Sequence, residues 1–252
     1  MPKPASRSDL VRIIRSLRFL LPATIAMLAS WSDAAEPEVV AQHTREFRVS
    51  VDGTPRGTQS MTFLRHSDGS EIMRSSAEVV VNVIVYRYRY ASVGKETWKD
   101  GRLIHLTNEA DYNGDKYVIK GSATKQALHY QVNGESQQAP LDIWAASYWR
   151  EPDAKRVGQK LRLLDSDKGR QLTATLERLD AETIKAESAS IKANRYRMRG
   201  DVEVDVWYDR HGFIARQESV ESGHKTLLEL TKIHRSNGES SADSAPSGSE
   251  RR

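Results

Sequence analysis

The sequence predicts an all-β fold, an antiparallel meander forming a curved barrel or half-barrel of roughly ten to twelve strands with one short helix. Three observations predict it. Apolar and polar residues alternate with period two through most of the chain between residues 44 and 235. Turn dipeptides containing glycine recur at short spacing. Helical periodicity is nearly absent. The 252 residues contain no cysteine, which excludes a disulfide framework, a thiolate metal site and a thiol nucleophile. A mean hydropathy of −0.62 excludes a chain of many membrane-spanning helices.

Taken in order, the chain begins with a basic stretch, Lys3, Arg7, Arg12, Arg15 and Arg18, followed by the apolar run Phe19 to Trp31 and then Ser32-Asp33-Ala34. That is the layout of a secretory signal. The run is 13 residues long and broken by Pro22, whereas a spanning helix needs about 20 residues. Residues 1–34 are therefore read as a signal peptide removed near Ala34 or Ala35, with a periplasmic location and no stable membrane anchor afterwards. The segment carries +3 of the chain's net +4, so the remainder is left near +1. The pI of about 9.2 thus reflects the signal, and a nucleic-acid partner is not expected.

Residues 35–235 follow without a Pro/Ser/Gly-rich linker and read as one domain. Phe47, Val49 and Val51 alternate with Arg48 and Ser50 ahead of Asp52-Gly53 and Arg56-Gly57, and a second strand runs from Gln59 to Arg65, closed by Ser67-Asp68-Gly69. Val79 to Tyr90 (VVVNVIVYRYRY) reads as one unusually long strand, close to 40 Å if unbroken at about 3.3 Å per residue. On that reading Val79, Val81, Val83 and Val85 share one face, and Tyr86, Tyr88 and Tyr90 the other. Further turns are expected at Asp100-Gly101, Asn113-Gly114, Asn133-Gly134, Lys168-Gly169, Gly200-Asp201 and His211-Gly212. Leu141 to Trp149 follows Pro140, offers Asp142 as an N-cap and places Trp144, Ala145 and Tyr148 at helical spacing, so it is the expected helix. In the hairpin of Arg195, Arg197 and Arg199 with Glu203 and Asp205, parity favours a three-residue loop that pairs Arg199 with Glu203 and Arg197 with Asp205. That pair is expected on a solvent-facing surface, worth no more than about 1 kcal/mol. Residues 236–252 contain no Leu, Ile, Val or aromatic residue and read as a disordered tail.

Chemistry is sparse. The seven histidines, at 43, 66, 105, 129, 211, 224 and 234, have no metal-ligand spacing and read as surface or turn residues. No metal or cofactor is expected. The chain contains no GxSxG elbow, no GxxxxGK[ST] and no GxGxxG. Asp201, Glu203 and Asp205 share one strand face at a separation compatible with acid/base work, yet the facing arginines explain them as a cross-strand ladder. The aromatic residues are the remaining signal. Tyr86, Tyr88, Tyr90, Trp98, Trp144, Tyr148, Trp149 and Trp207 are either core or the lining of a cavity for an apolar ligand.

Several pieces in order match a known pattern: Phe47-x-Val49-x-x-Asp52-Gly53-x-x-x-Gly57, Tyr86-Arg87-Tyr88, Glu96-x-Trp98-x-x-Gly101-x-Leu103, Asp111-x-Asn113-Gly114, Tyr148-Trp149, Tyr196-x-Met198-x-Gly200 and Val206-Trp207-Tyr208-Asp209-x-x-Gly212. On these the chain resembles a family of exported bacterial β-rich proteins of unknown function. That family looks distantly like the periplasmic lipoprotein-carrier half-barrels, whose curved sheet and plugging helices enclose an apolar cavity for acyl chains. The resemblance implies a non-enzymatic periplasmic protein that binds an apolar or amphipathic, lipid-like molecule. The rival expectation is a cell-envelope module that holds a protein or a glycan, through a sheet edge or the Arg87/Arg89 stripe.

Overall fold

The computed structural model describes residues 37–83, 86–186, 189–221 and 223–236. The expected signal peptide and all but the first residue of the expected tail lie outside the described residues. Among the described residues the chain is all-β, with fifteen strands, one 3-10 turn at Ala154–Arg156 and no α-helix. The first half holds β1 (Val39–Val51), β2 (Thr54–His66), β3 (Glu71–Val83), β4 (Tyr86–Lys99), β5 (Arg102–Tyr112), β6 (Asp115–Ala123), β7 (Leu128–Val132) and β8 (Glu135–Ala139). The second holds β9 (Trp144–Ala145), β10 (Lys160–Leu164), β11 (Gln171–Ala186), β12 (Ala189–Gly200), β13 (Glu203–Tyr208), β14 (Ile214–Glu221) and β15 (His224–Ser236).

All fifteen belong to one sheet, which runs from β8 back to β1, crosses to β15 and continues back to β9. Every pair is antiparallel except β9 with β10. The meander follows from turn chemistry. Asp52, Asp100, Asn113 and Asn133 hold φ of +48 to +58°, each followed by a glycine at positive φ, the conformation that tight hairpins require. Arg56-Gly57, expected as a turn, lies inside β2. Its glycine answers a different need: a Cβ there would sit 2.0 Å from the Glu78 carbonyl oxygen on β3.

Two corrections account for the strand count exceeding twelve. Val79 to Tyr90 is not one strand: Val83 pairs with Tyr86, Val81 with Tyr88 and Val79 with Tyr90 across β3 and β4, so the chain reverses between Val83 and Tyr86. Reversal also changes the faces, putting Tyr88 and Tyr90 on the same side as Val79 and Val81, because directly opposed residues share a face. A second unmarked reversal brings Ala186 opposite Ala189. Neither connection contains Gly, Pro or Asn, so neither carries a turn signal.

The expected helix at Leu141 to Trp149 does not form. Ile143 closes a turn onto Pro140 at 3.1 Å, Trp144 and Ala145 lie beside Leu163 and Leu164 as a short parallel strand, and Tyr148 takes φ +50°. The physical reason is that its main chain is engaged elsewhere: Trp144 and Ala145 pair with β10, and the Ala146 N–H donates to the Leu164 carbonyl at 2.8 Å, using groups that a helix would need. Ile143, Trp144, Ala145, Tyr148 and Trp149 are all buried, so the segment crosses and fills the interior. Asp142 forms an ion pair with Arg162 at 2.9 Å instead of capping a helix.

The hairpin of β12 and β13 has the register expected from parity, with Arg197 opposite Asp205 and Arg199 opposite Glu203. Its expected solvent-facing setting is corrected. Asp205 is 6% exposed, covered by Arg195, Arg197 and Arg199 at 2.6, 3.0 and 3.0 Å. The outer face is buried here because three long arginine side chains lie along it.

Candidate functional site

Strand register stacks the inward residues in layers. His43, Phe63, Met73, Glu96 and Leu106 form one layer, and Arg45, Met61, Ser75, Gly94 and Asn108 the next. Arg65, Glu71 and Trp98 form the next layer beyond Phe63, at one end of the open curved sheet. There the start of β1, the end of β2, the start of β3 and the end of β15 enclose a groove of about 490 Å³ with Trp149, His211 and Phe213. This falls within the ~300–1,000 Å³ of small-molecule sites.

The groove floor is aromatic. The Phe63 ring lies 4.9 Å from Phe213 and 5.4 Å from Trp149, and His43 meets Phe213 edge-on at 4.4 Å. The rim is basic, with Arg65 and Arg235 on the lining. Glu71 accepts from Arg65 at 3.2 Å and Arg150 at 2.8 Å. Beneath the floor Arg45 is 1% exposed; it pairs with Asp209 at 2.5 Å and donates to the Ile214 carbonyl at 2.8 Å. Asp209 stays below the ordinary carboxylate range, since the Arg45 charge and hydrogen bond outweigh burial. Burial, reinforced by the Arg45 charge, pushes the His43 imidazole down to about 4, and its buried Nε2 has no hydrogen-bond partner. Reading His43 and His66 as surface or turn residues is thereby corrected: His43 is wedged between rings, and His66 is 8% exposed with Nδ1 2.7 Å from the Pro37 carbonyl.

A second cavity of about 170 Å³ is lined by the apolar Met61, Met73 and Leu106 together with Tyr90, Asn108, Glu96, Ser147, Ser166 and Asp167. The Trp98 and Trp149 indoles both donate to Glu96 Oε2, at 2.8 and 3.0 Å. Burial pushes the Glu96 carboxyl above its ordinary range, with the Ser147 hydroxyl and the two indoles opposing. Asp167 sits in the turn between β10 and β11, where Asp165 Oδ1 accepts from the main-chain N–H of Asp167 and Lys168 at 3.1 and 3.0 Å. Its carboxylate accepts from Tyr90 at 2.6 Å, Tyr112 at 2.8 Å and Asn108 at 3.0 Å. Burial raises Asp167 and both phenols as well.

The aromatic residues expected at a site divide among these places. Trp149 belongs to the groove, and Trp98 is in edge contact with it at 6.2 Å. Tyr90 lines the second cavity. Tyr88 is half-buried on the same face of β4; the Tyr86 side chain lies outside the described residues. Trp144 and Tyr148 pack edge-on at 6.0 Å within the core. Trp207 is on the opposite face of the sheet, donating to Glu182 at 3.0 Å and lying between Arg195 and Arg216, at 4.8 and 5.1 Å. Asp205 on that face is fully engaged by arginines, and Asp201 accepts from Thr173 at 2.8 Å.

Sequence reasoning missed His43, Phe63, Phe213, Glu96 and Asp167. Glu96 had a signal, because it shares the strand face of Trp98. Asp167 had none beyond its turn. Among the described residues no group of three or more His, Asp or Glu is placed to hold a metal ion, and no helix is long and apolar enough to cross a membrane.

Residues 47–231 match the model of a domain of unknown function, DUF6134. Among solved structures the chain is similar to the β-barrel-like protein of the domain of unknown function DUF1849 from Brucella abortus, with 9% identity, a TM-score of 0.58, and coverage of 79% of this chain and 99% of that one. That likeness is one of fold. A DUF1329 family protein from Desulfovibrio piger has 9% identity over 79% of this chain and 87% of its own, with a TM-score of 0.26. A domain ascribed to outer membrane lipoprotein sorting from Vibrio parahaemolyticus has 8% identity over 80% and 88%, with a TM-score of 0.21. Among curated proteins none matches.

Proposed function

The chain belongs to the DUF6134 family of unknown function, and from that premise and the groove we propose that it is a binding protein for an amphipathic anion. The ligand is lipid-like: an apolar body laid over Phe63, Phe213 and Trp149, with an acidic group at Arg65 and Arg235. One observation carries the reading, the conjunction of an aromatic floor and a basic rim in a single groove of about 490 Å³. Binding without transformation fits the groove's acids, since Glu71 is tied to Arg65 and Arg150 and Asp209 to Arg45. The amino-terminal pattern supports action in the periplasm after removal of residues 1–34.

Earlier candidates take different roles in this reading. Trp149 contacts ligand and Trp98 supports it, whereas Trp207 is too far round the sheet to take part. The second cavity, at about 170 Å³, is smaller than the ~300 Å³ of the smallest ordinary ligand sites and does not receive the acyl chain.

The test is a titration of oleate or a lysophospholipid against tryptophan emission. A saturable change is expected, lost in Trp149→Phe, with affinity at least about tenfold weaker in Arg235→Gln, the scale of one charge-assisted contact. Flat emission in the wild type, or an affinity indifferent to Arg235→Gln, would overturn the proposal.

A further inference from the structure

We propose a second and separate binding site in the smaller cavity, taking a small organic ammonium ion between Glu96 and Asp167. The argument begins with charge. Glu96 accepts from two indoles, and Asp167 from two phenols and one amide. Every one of these donors is neutral, so neither carboxyl has a cation beside it across the cavity, and burial favours their protonated forms. The cations nearby are engaged elsewhere. Arg170 pairs with Asp165 at 2.8 Å. Lys168 lies over the Tyr112 ring and reaches Glu221 at 3.5 Å. Lys95 borders the cavity, but strand alternation sends its side chain away from the inward Gly94 and Glu96, to the outer face with Arg74 and Thr107.

Unused hydrogen-bonding capacity points the same way. The hydroxyl oxygens of Ser147 and Ser166 are buried on the cavity wall and lack a hydrogen-bond partner, although both lie close enough to Glu96 to help hold its carboxyl down against burial. An ammonium offers three donors, which suits a wall of carboxylates and hydroxyls that accept. Met61, Met73 and Leu106 supply apolar lining for the carbon skeleton.

Volume bounds the ligand. With a water's share of liquid near 30 Å³, 170 Å³ admits about five or six non-hydrogen atoms. Ionising a buried acid without a partner is costly, so the occupant that lets these two give up their protons is a cation. An anion would oppose that ionisation, and a neutral polyol would leave the acids protonated. A bare calcium ion is poorly matched, since it takes 6–8 oxygen ligands and the wall does not gather three acidic or imidazole groups about one point.

The experiment uses the full chain with methylammonium, ethanolamine and, as separate arms, sodium, magnesium and calcium chloride at constant ionic strength. Thermal unfolding and calorimetry are read together. Ethanolamine should raise the midpoint saturably, and its binding should release protons, seen as heat that varies with buffer ionisation. Glu96→Gln keeps one carbonyl oxygen for both indoles and should weaken binding at least tenfold; Asp167→Asn should do the same while leaving the oleate titration of the groove unchanged. No saturable response to either amine in the wild type would overturn the proposal. So would saturation by a metal chloride alone, or amine binding unaltered in a folded Glu96→Gln protein, which also decides the matter should Asp167→Asn fail to fold.

Discussion

Replacing Asp205 by Asn separates a buried charge cluster from the exposed ladder that its sequence pattern suggests. The carboxylate is 6% exposed and accepts from Arg195 Nε and Nη2 at 3.1 and 2.6 Å and from Arg197 Nε and Nη2 at 3.1 and 3.0 Å. Burial works to raise its pKa, but the hydrogen bonds of Arg197 and Arg195 and the charges of Arg197 and Arg199 prevail and hold it at about 2. An unfolded aspartate titrates near 3.9, and each pKa unit is worth about 1.36 kcal/mol. The difference corresponds to about 2 kcal/mol of stability at neutral pH, allowing for solvent screening of the partly exposed arginines. A depressed acid contributes fully above its unfolded value and loses that contribution as pH falls through its folded one. Urea unfolding of the wild type and Asp205→Asn should therefore differ by about 2 kcal/mol at pH 7, with the gap narrowing below pH 4 and nearly closed by pH 2. A gap under about 0.5 kcal/mol at pH 7 would mean a solvated carboxylate and refute the reasoning. A gap that stayed constant down to pH 2 would place the loss in packing, with the same result for the electrostatic account.

Two further outcomes are expected. The His43 imidazole should titrate by NMR near pH 4; because its folded value lies below the ordinary 6.5, its contribution to stability is present above 6.5 and lost as pH falls through 4, and a midpoint near 6.5 would show it to be solvated. Trp144→Ala, at a residue 4% exposed and outside the groove, should cost about 3 to 5 kcal/mol without altering oleate affinity, and a cost below about 1 kcal/mol would contradict its place in the core.

Much of the fold was legible because hairpins announce themselves. Asp-Gly and Asn-Gly pairs adopt positive φ readily, and all but one of the marked turns is a turn. The reversals beyond Val83 and Ala186 were hidden, since the first uses Ile84 and Val85, which suit a strand, and neither contains Gly, Pro or Asn. Register was readable in β12 and β13 because charge parity distinguishes an odd loop from an even one. The segment through Trp144 and Trp149 has helical spacing, yet its main chain pairs with β10, a partner distant in sequence that no local pattern records. The groove was hidden for a related reason. Alternation tells that His43, Phe63 and Arg65 point inward, but their meeting with Arg235 depends on pairing β1 with both β2 and β15, and Phe213 arrives through its bridge to Arg150. Glu96 was accessible, an inward carboxylate one step from an inward tryptophan; its significance lay in the absence of a cation beside it.

The pairing of β1 with β15, from Gln42 opposite Ser236 to Val51 opposite Thr226, also sets the order in which the molecule can be built. Either half of the sheet can zip up from sequence neighbours, with little loop-closure entropy to overcome. The central seam joins opposite ends of the described chain and must wait for the last strand. Until then β1 presents a long unpaired edge, the template on which strands of other chains add. A chain halted before β15 thus leaves two paired wings with their longest edges open to other strands.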